Sequence, residues 1–167
     1  MSRAPATGST LRLRPIRPAD REFLARLYAS TRSEELGPVP WPEAQKRAFL
    51  QSQFEAQHAH YTQHFPDASF DVIEIEGQPA GRLYVDRRED EIRLIDIALL
   101  PEHRGGGLGT SLLHDLLAEA TAAKLPVTLH VEHANPAVRL YRRLGFDADP
   151  APETGVYQLM RWQPPHP

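Results

Sequence analysis

No cysteine occurs in the 167 residues. That excludes disulfides, thiolate-bound metal and a cysteine nucleophile. The default compartment is then the cytoplasm. Long apolar runs are also missing. None approaches the roughly 20 residues needed to cross a bilayer, and the opening MSRAPATGST lacks the apolar core of a secretory signal. Charge of one sign never accumulates. The longest basic blocks are Arg87-Arg88 and Arg142-Arg143, and the formal net charge is −3. Neither a nucleic-acid nor a membrane partner is therefore expected.

What remains is the composition of a globular domain, 41% hydrophobic and 25% charged, long enough to bury a core. Residues 1–9 are small and polar and are expected to be disordered. Residues 10–162 read as a single domain and 163–167 as a flexible tail. Leu11 and Leu13 alternate with arginines in a first strand. Phe23, Leu24, Leu27 and Tyr28 predict a helix over 19–32. A Gly/Pro loop around Trp41 precedes a second helix over 43–64, which Pro42 could open at its first position. Strands follow at 70–75 and 80–85, joined by a hairpin turn at 76–79. A charged turn over 86–90 leads to a strand at 91–100, then a helix over 107–123. A strand at 126–132, a helix ending at Gly145 and two short strands complete the chain. The order β-α-α-β-β-β-α-β-α-β-β predicts an α+β domain with a mixed sheet.

The chain is organised around Ile92–Ala120. An apolar strand stops at Pro101; Arg104, Gly105, Gly106, Gly107, Leu108 and Gly109 follow; then Leu112, Leu113, Leu116 and Leu117 mark one face of a helix. A strand entering a glycine turn that opens a helix points backbone N–H groups at an anion, and the helix dipole adds to the attraction. A plain tight turn is the alternative. No Lys-Ser or Lys-Thr follows the glycines, which argues against a P-loop. Gly105-x-Gly107 continues with Thr110, which argues against a dinucleotide fingerprint.

A second stretch, VEHANPAVRLYRRLGF over 131–146, gives the turn its context. The two together resemble the GCN5-related N-acetyltransferases (GNAT superfamily). That superfamily's Q/R-x-x-G-x-G/A motif is matched by Arg104, Gly107 and Gly109. Its strand–Asn–helix signature is matched by Asn135, Ala137, Leu140, Tyr141, Gly145 and Phe146. The resemblance covers about 10–162. It implies a GNAT-like fold: a central, mostly antiparallel sheet flanked by helices and splayed between strands four and five.

The resemblance further implies an acetyl-CoA-dependent N-acetyltransferase that passes the acetyl group directly to a primary amine of a small molecule or peptide. Acetyl-CoA is the cosubstrate. Its pyrophosphate would sit on the amides of Arg104–Thr110, and its pantetheine arm would pair with the backbone of Ile97, Ala98 and Leu99. Asn135 would contact the arm or simply cap its helix. Tyr141 would protonate the departing thiolate, with a packed helix tyrosine as the plainer alternative. Glu91 and Asp96 are the candidate bases, each open to a purely structural role. A non-catalytic acyl-CoA-binding or regulatory module on the same fold is the rival, and transfer to a hydroxyl or of a longer acyl group stays open, as does homodimerisation. Glu34 and Glu35, in the loop region expected to line the acceptor site, could attract a cationic amine, and Trp41 and Tyr84 could line the pocket. His60 and His64 are spaced i,i+4 on a helix but lack an evident third ligand, so no metal is assigned.

Overall fold

The structure, a computed structural model, describes residues 10–149 and 155–166; the expectation for residues 1–9 lies outside them. The elements are β1 (Leu11–Pro15), a 3-10 turn (Pro18–Asp20), α1 (Arg21–Leu36), α2 (Glu43–His64), β2 (Ser69–Ile75), β3 (Gln78–Arg87) and β4 (Ile92–Leu99). A second 3-10 turn (Pro101–His103), α3 (Leu108–Ala123), β5 (Val127–Glu132), α4 (Ala137–Arg143), β6 (Asp147–Ala148) and β7 (Tyr157–Trp162) follow. The element order is the expected one. The strands form a seven-stranded mixed sheet in the order β1-β2-β3-β4-β5-β7-β6. β1–β2, β5–β7 and β6–β7 are antiparallel, and β4–β5 is parallel.

The chain divides into two compact units, Met1–Tyr84 with Ile97–Leu108, and Val85–Asp96 with Gly109–Pro167. In the first, Phe23, Leu24, Leu27, Tyr28, Phe54, Val72 and Leu100 form one buried cluster. α1 extends beyond the expected 19–32. Its apolar periodicity ends at Tyr28, but Ser33, Glu34 and Glu35 continue the helix as a polar turn, and Gly37 N–H donates to Ser33 O at 2.9 Å. Glu34 and Glu35 are therefore helical, not in a loop. Pro42 stands at the N-cap of α2, one residue before the expected place. The β2–β3 turn is tighter than expected. Glu76 and Gly77 both have positive φ (52° and 80°), as a type I′ hairpin requires, and Gln78 and Pro79 already belong to β3.

β1 departs from simple alternation. Leu13 is 42% exposed, whereas the Arg14 side chain is only 11% exposed. Its guanidinium grips both oxygens of Asp20 (2.8 and 2.9 Å) and one of Glu74 (2.6 Å). Burying an arginine is tolerable only with such pairing.

In the second unit, Ile92, Leu94, Leu113, Leu116, Leu117, Val127, Leu129, Phe146 and Met160 are buried. α4 ends in a Schellman motif: Phe146 N–H donates to Tyr141 O and Gly145 N–H to Arg142 O, both at 3.0 Å, with Gly145 at φ 104°. That closure fixes the helix turn carrying Tyr141. Among the described residues, no helix is long and apolar enough to cross a membrane.

Candidate active site

The parallel β4–β5 ladder pairs Ile92, Arg93 and Leu94 with Val127, Thr128 and Leu129. β4 then runs on to Leu99 beyond the end of that register, the splay expected between strands four and five. The burial of β4 changes at the same point. Ile92 and Leu94 are buried with half-buried Arg93 between them, but every residue from Ile95 to Leu99 is half-buried. The strand loses its alternation beyond Leu94.

In the first unit, Leu100 N–H donates to Ala80 O at 2.8 Å, and the Pro101–His103 turn follows. Arg104 folds back along the strand. Its Nε donates to Leu99 O at 2.9 Å and its Nη2 to Ser30 Oγ at 3.2 Å. The guanidinium thus ties the end of β4 to α1. Gly105 and Gly107 have φ of 79° and 84°, a region that side chains avoid, and a Cβ on Gly105, Gly106 or Gly107 would meet nothing within 4 Å. The turn is therefore bare, the kind of glycine backbone whose N–H groups an anion can approach closely. This is what a diphosphate-bearing cosubstrate needs.

In the second unit, Tyr141 is buried, its ring edge-on to Phe146 at 5.6 Å. Burial pushes the phenol well above its ordinary value, and the negative charge of Asp96 adds to the rise. The phenol therefore keeps its proton throughout the neutral range. Asn135 Oδ1 accepts from Ala137 N–H at 2.9 Å, an Asx turn just ahead of α4, whose N-cap position is held by Pro136 and not by the expected Asn135.

Glu91 sits in a different setting. Its Oε2 accepts from Thr128 Oγ1 at 2.7 Å and from Arg88 Nη1 at 3.3 Å, and lies 3.5 Å from Arg93 Nη2. Arg93 Nε donates to Thr128 Oγ1 at 2.8 Å. One carboxylate oxygen held by a hydroxyl and two arginines has the surroundings of a structural ion pair, not of a base awaiting a proton.

The residues expected at the acceptor site are dispersed. Glu34 is exposed on the last turn of α1, and the neighbouring Glu35 is spoken for by Arg32 at 3.0 Å. Trp41 packs edge-on against Phe49 at 5.3 Å. Tyr84 is 1% exposed, its ring packed against Tyr61 and Phe70, so it belongs to the core and not to an open pocket wall. His60 and His64 stack on each other at 4.0 Å. Among the described residues, no group of three or more His, Asp or Glu side chains is arranged to hold a metal.

One residue that motif reasoning missed is Gly81, on β3. A Cβ there would lie 2.2 Å from Ala98 O. Its only signal in the sequence is a glycine inside a strand, which marks a close backbone approach.

Comparison with known proteins places the chain in a family. The model of the acetyltransferase (GNAT) family matches residues 24–146. The chain belongs to the GNAT acetyltransferase family. That match takes in β4, the glycine turn and Tyr141. A protein of Bacillus subtilis (strain 168), provisionally named a ribosomal protein bS18-alanine N-acetyltransferase, is 31% identical over 109 residues, which are 64% of this chain and 64% of that relative. The fold is shared with the PaiA N-acetyltransferase of Thermoplasma acidophilum, solved in complex with coenzyme A (TM-score 0.68, 15% identity, 92% of this chain and 99% of that one). A histone acetyltransferase HPA2-related acetyltransferase from Corynebacterium glutamicum ATCC 13032 is similar too (TM-score 0.61, 23% identity, 94% and 97%).

Proposed function

We propose that this GNAT protein transfers the acetyl group of acetyl-CoA directly to a primary amine of a peptide or small molecule. The observation that carries the proposal is the bare Gly105–Gly107 turn at the end of a strand whose ladder stops early. The turn and the first amides of α3 would hold the pyrophosphate, and the backbone of Ile97–Leu99 would receive the pantetheine arm. Acetyl-CoA supplies the activated thioester. Arg104 serves here mainly by fixing Leu99, since its guanidinium already donates to that carbonyl.

Tyr141 holds the proton that the sulfur needs. As the amine nitrogen bonds to the acetyl carbon and the carbon–sulfur bond breaks, the phenol donates to the departing thiolate. Asp96, the carboxylate whose charge Tyr141 feels, takes the proton released by the amine, directly or through water. Its place on β4, next to Ile97, favours it over Glu91, whose oxygen is occupied by Thr128 and two arginines.

The alanine of a ribosomal protein for which the Bacillus subtilis relative is named makes a peptide amino terminus the first acceptor to try. The test is release of free CoA over a panel of alanine-starting peptides, lysine peptides, polyamines and amino acids. Turnover with one class is expected. Tight acetyl-CoA binding with no turnover on any amine would replace the enzyme by an acyl-CoA-binding module.

A further inference from the structure

Gly81 lies within β3, where a Cβ would come 2.2 Å from Ala98 O, 2.9 Å from Leu99 Cδ2 and 3.1 Å from Leu99 Cα. In a regular sheet, neighbouring strands are about 4.8 Å apart and side chains stand clear of the carbonyls, which lie near the sheet plane. The Ala98 carbonyl has therefore left that plane and leans over the Cα of Gly81. One residue later the ladder is regular again, with Leu100 N–H donating to Ala80 O at 2.8 Å.

A trans peptide is planar, so its C=O and N–H point in opposite directions. With the Ala98 carbonyl leaning over Gly81 on β3, the Leu99 N–H opposite it points to the other edge of β4, tipped out of the sheet plane by the same angle. Strand alternation requires the same, because the next amide, Leu100 N–H, points to β3. The following peptide is fixed as well, since Leu99 O accepts from Arg104 Nε at 2.9 Å. Leu99 is thus clamped on both sides, by a missing Cβ and by a guanidinium. Any Cβ at position 81 would push the carbonyl back and turn the Leu99 N–H with it.

We propose that Gly81 is a positioning residue for acetyl transfer: its lack of a Cβ admits the Ala98 carbonyl, and the resulting tilt aims the Leu99 N–H at the acyl-pantetheine arm. The proposal rests on acetyl-CoA lying along Ile97–Leu99. Gly81 itself touches neither substrate, and its effect passes through the backbone of β4.

The test compares Gly81→Ala with Asp20→Asn, which loosens the same unit at a distant ion pair. For each, the melting temperature, the dissociation constant for acetyl-CoA and the KM values for acetyl-CoA and amine are measured. A hydrogen bond that is no longer aimed at its acceptor costs on the order of tenfold in affinity. Gly81→Ala is therefore expected to raise the acetyl-CoA constant about tenfold, with the amine KM unchanged, while Asp20→Asn leaves the acetyl-CoA constant alone. A folded Gly81→Ala protein that binds acetyl-CoA like wild type overturns the proposal. So does an equal rise in Asp20→Asn, because general loosening then suffices.

Amide hydrogen exchange on the wild-type protein needs no variant. Leu100 N–H should be protected with and without acetyl-CoA, whereas Leu99 N–H should exchange rapidly until acetyl-CoA is added. Equal protection of Leu99 N–H in the free protein would leave no donor to aim and would overturn the proposal even if Gly81→Ala failed to fold. Absence of acetyl-CoA binding by the wild type would remove the cosubstrate reading and this proposal together; binding by the wild type with no loss in Gly81→Ala removes this proposal alone.

Discussion

Tyr141 couples burial to chemistry at a single atom. Out of water and facing the charge of Asp96, its phenol is pushed up and stays protonated. Replacing it with phenylalanine keeps the ring contact with Phe146 and removes only the donor. We expect kcat to fall about 100-fold, the scale of a lost general acid, with acetyl-CoA binding intact; unchanged turnover at saturating amine would end the general-acid role. The sign of the shift also sets a pH expectation. An ordinary phenol ionises near pH ~10, so activity should show no alkaline loss from Tyr141 at or below that pH. Asp96→Asn removes one of the two causes, and the phenolate absorbance of Tyr141 should then appear at lower pH than in wild type. The placing of Tyr141 in α4 and of Asn135 just ahead of it was legible because their motif is local and sequential. The roles of Glu91 and Tyr84 were not, since what decides them are Thr128, Arg88 and Arg93 in one case and Tyr61 and Phe70 in the other.

At the scale of elements, the strand–turn–helix of β4, Arg104–Gly107 and α3 shows what spacing reveals and what it leaves out. The apolar run, the glycines and the leucine face predicted all three pieces in place. The end of the β4–β5 ladder at Leu94 came only through the family resemblance, because a parallel ladder can stop without any change in the side chains. The end of α1 was missed for a related reason: a solvated polar turn carries no apolar period, though its glutamates are good helix formers. The turn itself makes a direct prediction. In Gly107→Ala the methyl meets nothing within 4 Å, so the cost in the free protein is only the strain of a left-handed alanine, about 1–2 kcal/mol. In the complex the same methyl would stand where the phosphates approach. Acetyl-CoA affinity should fall on the order of tenfold or more while thermal unfolding shifts by only a few degrees, as calorimetry of both would show. Unaltered affinity would move the phosphates off this turn.

Over the whole molecule, the buried ions decide where stability depends on acid. β1 read as leucines alternating with arginines, yet Leu13 is exposed and Arg14 is sequestered with Asp20 and Glu74. The partners lie 6 and 60 residues away, beyond anything a five-residue pattern encodes. Asp20 accepts from both Arg14 Nη atoms and from the Arg17 N–H at 2.7 Å. The bond from Arg14 does most to hold its carboxyl below the usual value; burial opposes this, and the Arg17 amide adds to it. A depressed carboxyl contributes its full stability above its unfolded value, near ~3.9, and loses it as pH falls through the lower folded value. Asp20→Asn keeps the shape and removes the charge, leaving Arg14 with Glu74 alone. The loss should be about 1–3 kcal/mol in urea melts, constant between pH 8 and pH 5, because the wild-type carboxylate is ionised in both states there. Below pH ~4 the two proteins should converge as wild-type Asp20 takes up a proton on unfolding. A gap that persists undiminished in acid would assign the loss to the bond from the Arg17 amide, and not to the charge that Arg14 binds.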